Sequence, residues 1–163
     1  MALLEAATRV VLMGIGATVI MDLWLMLMRA LGVPTLNFAL VGRWVGLLCH
    51  GRFSHTRIGQ ARPVHREAAL GWIVHYATGI AFAVLLACIQ GLAWLQAPTP
   101  APAIIVGAAT VVVPLFLIQP AMGAGFASSR TPAPGRNCLR SVMTHTVFGL
   151  GLYLSAVLIA FVS

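Results

Sequence analysis

Four long apolar runs, parted by segments that hold most of the charge, leave this chain one class of fold. They cover about Thr8–Leu31, Ala68–Leu95, Ala103–Ala127 and Cys138–Val162. Each has the ~20 residues a helix needs to cross the ~30 Å hydrocarbon core of a bilayer. The chain is 60% hydrophobic and only 8% charged, where a soluble domain carries roughly 25% charged residues. A water-soluble fold of this length could not cover its own surface. The expected architecture is an all-α membrane protein, a single integral domain over residues 1–163 with four transmembrane helices in a bundle.

The connections support this division. Gly32 and Pro34 end the first run as helix terminators should. That run has no basic n-region and is too long for the apolar part of a signal peptide. Residues 35–66 form a loop whose first part, Asn37–His50, is too short to span and fits a helix lying at the interface, with Arg43 and Trp44 near the headgroups. Residues 97–102 make a proline-rich, uncharged turn. Pro114 and Pro120 should kink the third span.

Charge gives an orientation. The net charge of +7 comes from ten arginines, no lysine and three acids. Arg43, Arg52, Arg57, Arg62, Arg66, Arg130 and Arg136 lie in the first and third connections, and the middle one has none. The positive-inside rule puts those two connections in the cytoplasm and both termini outside, periplasmic in a bacterial inner membrane. Membrane orientation thus explains the basic balance better than nucleic-acid binding does. Cys49, Cys88 and Cys138 form no Cys-x-x-Cys pair, which argues against a disulfide framework.

Spans one and three share the pattern of Ala17–Leu25 and Ala109–Leu117. Spans two and four carry Gly71, His75, Gly79 and Ser141, His145, Gly149, each at steps of four. The conserved order fits two parallel copies of one helical hairpin, against the alternative that apolar helices resemble one another by chance. Small residues four positions either side of each histidine would let a neighbouring helix approach closely.

Asp22, His75, Gln119 and His145 each lie inside a span, at a similar depth of roughly 8–14 Å below the cytoplasmic surface at ~1.5 Å per residue. Polar groups at such depth are costly and usually face the bundle interior. Three readings stay open. Asp22 accepts hydrogen bonds from His75 or His145, and Gln119 completes a network that fixes helix register. The layer is an ionisable site for a proton or small solute, as in a small transporter. Or His75 and His145, with Asp22, hold a metal or haem. No paired carboxylates, phosphate loop or nucleophile–base pair is present, which disfavours an enzyme. The small residues also suit association with a second copy or a larger membrane complex, with the lipid bilayer as constant partner.

Several motifs resemble a known family: Met21-Asp22-Leu23-Trp24, Ala39-Leu40-Val41-Gly42-Arg43-Trp44, Gly71-Trp72-Ile73-Val74-His75-Tyr76, Gln119-Pro120-Ala121-Met122-Gly123-Ala124-Gly125 and Ser129-Arg130-Thr131-Pro132. They are similar to small bacterial inner-membrane proteins catalogued as a domain of unknown function, number two-nine-three-eight. The resemblance covers nearly the whole chain. It implies a four-span bacterial membrane protein and carries over no activity and no cofactor.

Overall fold

A computed structural model describes residues 3–162. It contains α1 (Leu3–Ala30), α2 (Phe38–Leu48), α3 (Glu67–Gln90), α4 (Pro100–Ala109), the short α5 (Gln119–Met122) and α6 (Pro134–Val162), and no strand among the described residues. A π-helical segment, Pro114–Ile118, leads into α5. Four helical stretches are long and apolar enough to cross a membrane: Leu3–Ala30, Glu67–Gln90, Pro100–Met122 and Pro134–Val162. Their outer faces bear large apolar side chains; Ile73, Ile105 and Leu158 expose 66%, 65% and 63% of their surface. In water so much exposed apolar surface would drive association. Against acyl chains it is matched to its solvent.

Local chemistry sets the helix ends. Gly32, at φ +75°, closes α1: its N–H reaches the Arg29 carbonyl and the Val33 N–H reaches that of Met28 at 2.9 Å. Asn37 caps α2 by accepting from the Ala39 N–H at 3.0 Å. The second span was expected to reach Leu95. Gly91, at φ +77°, instead stops α3 at Gln90, and Leu92–Leu95 turns as a short 3₁₀ helix. In the third span, the ring of Pro114 and its missing N–H break the regular ladder, and the π-helical segment begins there. The predicted kink thus takes the form of a change in winding.

The chain divides into two compact units, described separately. The first comprises Met1–Pro34, Tyr76–Thr110 and Met143–Ser163. Its core is built on Val10, Met13, Ala17, Ala83, Leu86, Phe148 and Leu152. Glycines make its helix contacts. A Cβ on Gly14 would lie 2.6 Å from the Ile80 Cα. One on Gly107 would lie 2.6 Å from the Gly149 nitrogen, and one on Gly151 2.9 Å from the Ala17 Cα. In this unit α1 therefore packs on α3 and on α6, and α4 packs on α6.

The second unit comprises Thr35–His75 and Val111–Val142. Its smaller core holds Trp44, Leu47, Ile58 and Ala121. Here α2 lies on the first turns of α3, because a Cβ on Gly42 would stand 2.6 Å from the Gly71 nitrogen.

A side chain at these contacts must push backbone, which cannot yield as a flexible side chain can. Gly107→Ala and Gly149→Ala should each lower stability in detergent by about 1–3 kcal/mol, the usual penalty of overpacking. Gly135→Ala, with nothing within 4 Å of its added carbon, should be nearly neutral. Thermal melts of the three variants read the difference.

Candidate functional site

Two of the four residues expected to form a polar layer lie in the first unit. The Tyr76 hydroxyl donates to Asp22 Oδ2 at 3.0 Å, joining α3 to α1. His145 Nδ1 stands 2.8 Å from the Thr110 hydroxyl, which itself donates to the Gly107 carbonyl at 2.6 Å. A hydroxyl has one proton. The direction of the Thr110–His145 bond therefore follows the tautomer of the imidazole. One residue before His145, Thr144 accepts from the Trp24 indole N–H at 3.3 Å. The hydroxyl of Tyr76, next to His75 in sequence, is thus a donor to Asp22 that the sequence did not single out. Asp22 and His145 are half-buried, while Thr110 is buried.

The other two lie in the second unit. His75 is buried, with its ring centroid 4.1 Å from that of Phe38 and 5.7 Å from that of Trp72. The Gln119 side-chain carbonyl accepts from the Ser128 hydroxyl at 2.8 Å. Ser128 is almost fully buried and, like Ala127, sits at positive φ. Gln119 thus anchors a sharply turned segment after α5. Each of the four residues has its own partner. Among the described residues, no group of three or more His, Cys, Asp or Glu could hold a metal ion.

The small residues flanking the histidines behave in part as their spacing predicts. Gly79 faces Thr18 and the Gly14 carbonyl, Gly149 faces Ala103 and Ile104, and Gly71 faces the Phe38 carbonyl. Ser141 is half-buried.

The densest polar cluster is one that sequence reasoning did not find. Arg43, on α2, grips the Glu67 carboxylate with two parallel hydrogen bonds, Nε to Oε2 at 2.8 Å and Nη2 to Oε1 at 2.7 Å. Its third nitrogen, Nη1, donates to the carbonyls of Gly59 at 3.2 Å and Ala61 at 3.0 Å. Glu67 Oε2 also accepts from the Val64 N–H at 3.0 Å. The hydrogen bond to Glu67 raises the Arg43 pKa above its ordinary value, against the opposing effect of burial, so this guanidinium stays charged. Arg43 thus spends its guanidinium on this chain's own carboxylate and carbonyls and closes the loop onto α2. Trp44 also turns inward: it is buried and donates to the Phe53 carbonyl at 2.8 Å. The sequence did hold a signal, since Glu67 is the one acid between Asn37 and the end of the chain.

The loop is also laid against the turn after α5. The His55 N–H donates to the Ala121 carbonyl at 2.8 Å. A Cβ on Gly123 would meet backbone atoms of His55 and Thr56. The His55 imidazole is packed there with both nitrogens buried and unpaired.

A protein family of unknown function, DUF2938, matches residues 11–159. The chain belongs to this family. The match spans Asp22, Arg43, Glu67, His75, Gln119 and His145. No curated protein and no solved structure matches significantly.

Arg43→Ala should leave Glu67 with a half-buried, unpaired carboxylate and free the loop carbonyls. Losing one partner of such a pair costs on the order of 3 kcal/mol. Trypsin should then cut after Arg57, within the loop that Arg43 holds, much faster. Arg43→Lys, which keeps the charge but not the fork, should recover only part of the protection.

Proposed function

We propose that the protein is an accessory subunit of a membrane assembly, a single integral domain whose intramembrane polar groups lock its helices and do not carry a solute. The observation that carries this reading is the Tyr76–Asp22 hydrogen bond. A carboxyl group within a span is retained at a cost of ~2.5–3.5 kcal/mol on insertion scales. Here it has a hydroxyl donor on the neighbouring helix. The Thr110–His145 and Trp24–Thr144 bonds repeat the arrangement between α4 and α6 and between α1 and α6. Three polar links therefore tie the same helices that glycine contacts bring together.

On this reading the partner, a second copy or another subunit, meets surfaces other than the glycine faces. Gly14, Gly16, Gly79, Gly107, Gly149 and Gly151 are all covered by this chain's own atoms. The orientation expected from the arginines puts the second unit's loops on the cytoplasmic side.

Interhelical hydrogen bonds in lipid are worth about 0.6 kcal/mol on average and up to about 1.7 kcal/mol. Tyr76→Phe should lower stability by that amount. In the Asp22→Leu background, where the acceptor is gone, it should cost almost nothing. Reversible unfolding in mixed micelles measures this cycle. Zero coupling would defeat the locking role. A small transporter using the same layer predicts instead that Asp22→Asn abolishes proton or solute flux into proteoliposomes at unchanged stability. A metal or haem protein predicts stoichiometric metal or a Soret band in the purified chain.

A further inference from the structure

The two units differ sharply in charge. Eight of the ten arginines lie in the second unit with only one of the three acids, so the whole net charge of +7 resides there. The first unit is neutral, with Arg9 and Arg29 balanced by Glu5 and Asp22. The second unit's sole carboxylate is already taken, both oxygens of Glu67 being bound by Arg43. Its remaining arginines have no carboxylate of their own unit to pair with. Arg52, Arg57, Arg62, Arg66, Arg130 and Arg136 are all exposed.

This surface is held in shape. Arg43 bonds the carbonyls of Ile58, Gly59 and Ala61, the stretch that runs from Arg57 to Arg62. The loop just before Arg57 is fastened to α5, at the start of the turn that follows it, through His55 and Ala121. That turn leads to Arg130, whose N–H reaches the Ala124 carbonyl at 2.9 Å. Arg57 and Arg130 thus belong to one end of the unit. Arg66 adjoins the first residue of the α3 span, and Arg136 lies in the first turn of the α6 span. A cation in a helix's first turn opposes the helix dipole, so Arg136 is not there for the helix.

Exposed apolar groups accompany the arginines: Phe53 beside Arg52, Phe126 in the turn before Arg130, and Trp72 on α3. Guanidinium groups mixed with exposed aromatics, at the ends of membrane spans, match the headgroup layer, which offers phosphate oxygens and acyl chains side by side. An acidic soluble protein or a nucleic acid would match the charge but leave these aromatic groups in water.

We propose that the Arg52–Arg66 loop, held by the Arg43–Glu67 cluster, forms with Arg130 and Arg136 a docking surface for acidic phospholipid headgroups. The planar fork of each guanidinium pairs with two oxygens of a phosphodiester. A zwitterionic headgroup offers the same phosphate but carries its own cation, which competes for it. The surface therefore selects net-anionic lipids. Because the loop is fastened at three carbonyls, the guanidiniums at its two ends are positioned before lipid arrives.

The full chain in a neutral detergent, titrated with phosphatidylglycerol or with phosphatidylcholine of the same chains, provides the test. Lipid retained per protein is counted by native mass spectrometry. Phosphatidylglycerol should be retained at least tenfold more strongly. Arg57→Gln, Arg62→Gln and Arg130→Gln should each weaken that preference about fivefold and leave phosphatidylcholine unaffected. Arg130→Lys should keep most of it. Equal retention of the two lipids by the unaltered chain would overturn the proposal without recourse to any variant. So would a preference unchanged in the three substitutions. Full displacement of phosphatidylglycerol by millimolar inorganic phosphate would mean that the surface takes free phosphate, and would overturn it too.

Discussion

Close approach of backbones at glycine is the constraint from which the rest of this structure follows. Between helices in lipid there is little hydrophobic gain, because acyl chains are as apolar as leucine. Contact must come from dispersion over tightly fitted surfaces and from short polar links. At Gly107 and Gly149, at Gly14 and Ile80, and at Gly42 and Gly71, the helices come so near that a methyl group would collide with main chain. Only at such spacing can a tyrosine on α3 reach an aspartate on α1 at 3.0 Å, or a threonine on α4 reach a histidine on α6 at 2.8 Å. The polar bonds thus depend on the glycine contacts and then fix their register.

Much of this was legible in the sequence, for physical reasons. Long apolar runs have no other use at 8% charge, so the spans were plain. Gly32 and Asn37 act through their own backbone or side chain and so betray helix ends locally. The step-of-four glycines pointed to close helix faces, and Gly79 and Gly149 occupy them. Thr18 and Thr110, aligned in the repeated segments, each donate to a carbonyl one turn earlier, those of Gly14 and Gly107.

What escaped reading was pairing across long sequence separations. Tyr76 looked like part of an apolar helix, and its donor role is set by the rotation of α3 against α1. Arg43 and Trp44 are residue types that favour interfaces, and nothing local showed that both also bond within this chain. Their inward direction depends on where the loop folds back, which no local pattern encodes. Depth along a span can be estimated from residue count, but partners cannot. Asp22 meets Tyr76, His75 meets Phe38 and Trp72, Gln119 meets Ser128, and His145 meets Thr110. The Arg43–Glu67 cluster has the wider reach: by consuming the only acid of the second unit it leaves the loop arginines uncompensated, and it gives their loop a fixed shape.

The account rests on the four apolar stretches crossing a bilayer, and site-directed labelling probes that crossing itself. In a background lacking Cys49, Cys88 and Cys138, single cysteines at positions 57, 97 and 130 would be treated with a membrane-impermeant thiol reagent, on intact and on opened cells. Positions 57 and 130 should react from one side of the membrane and position 97 from the other. Labelling of 57 and 130 from opposite sides, or of all three from the same side, would contradict it.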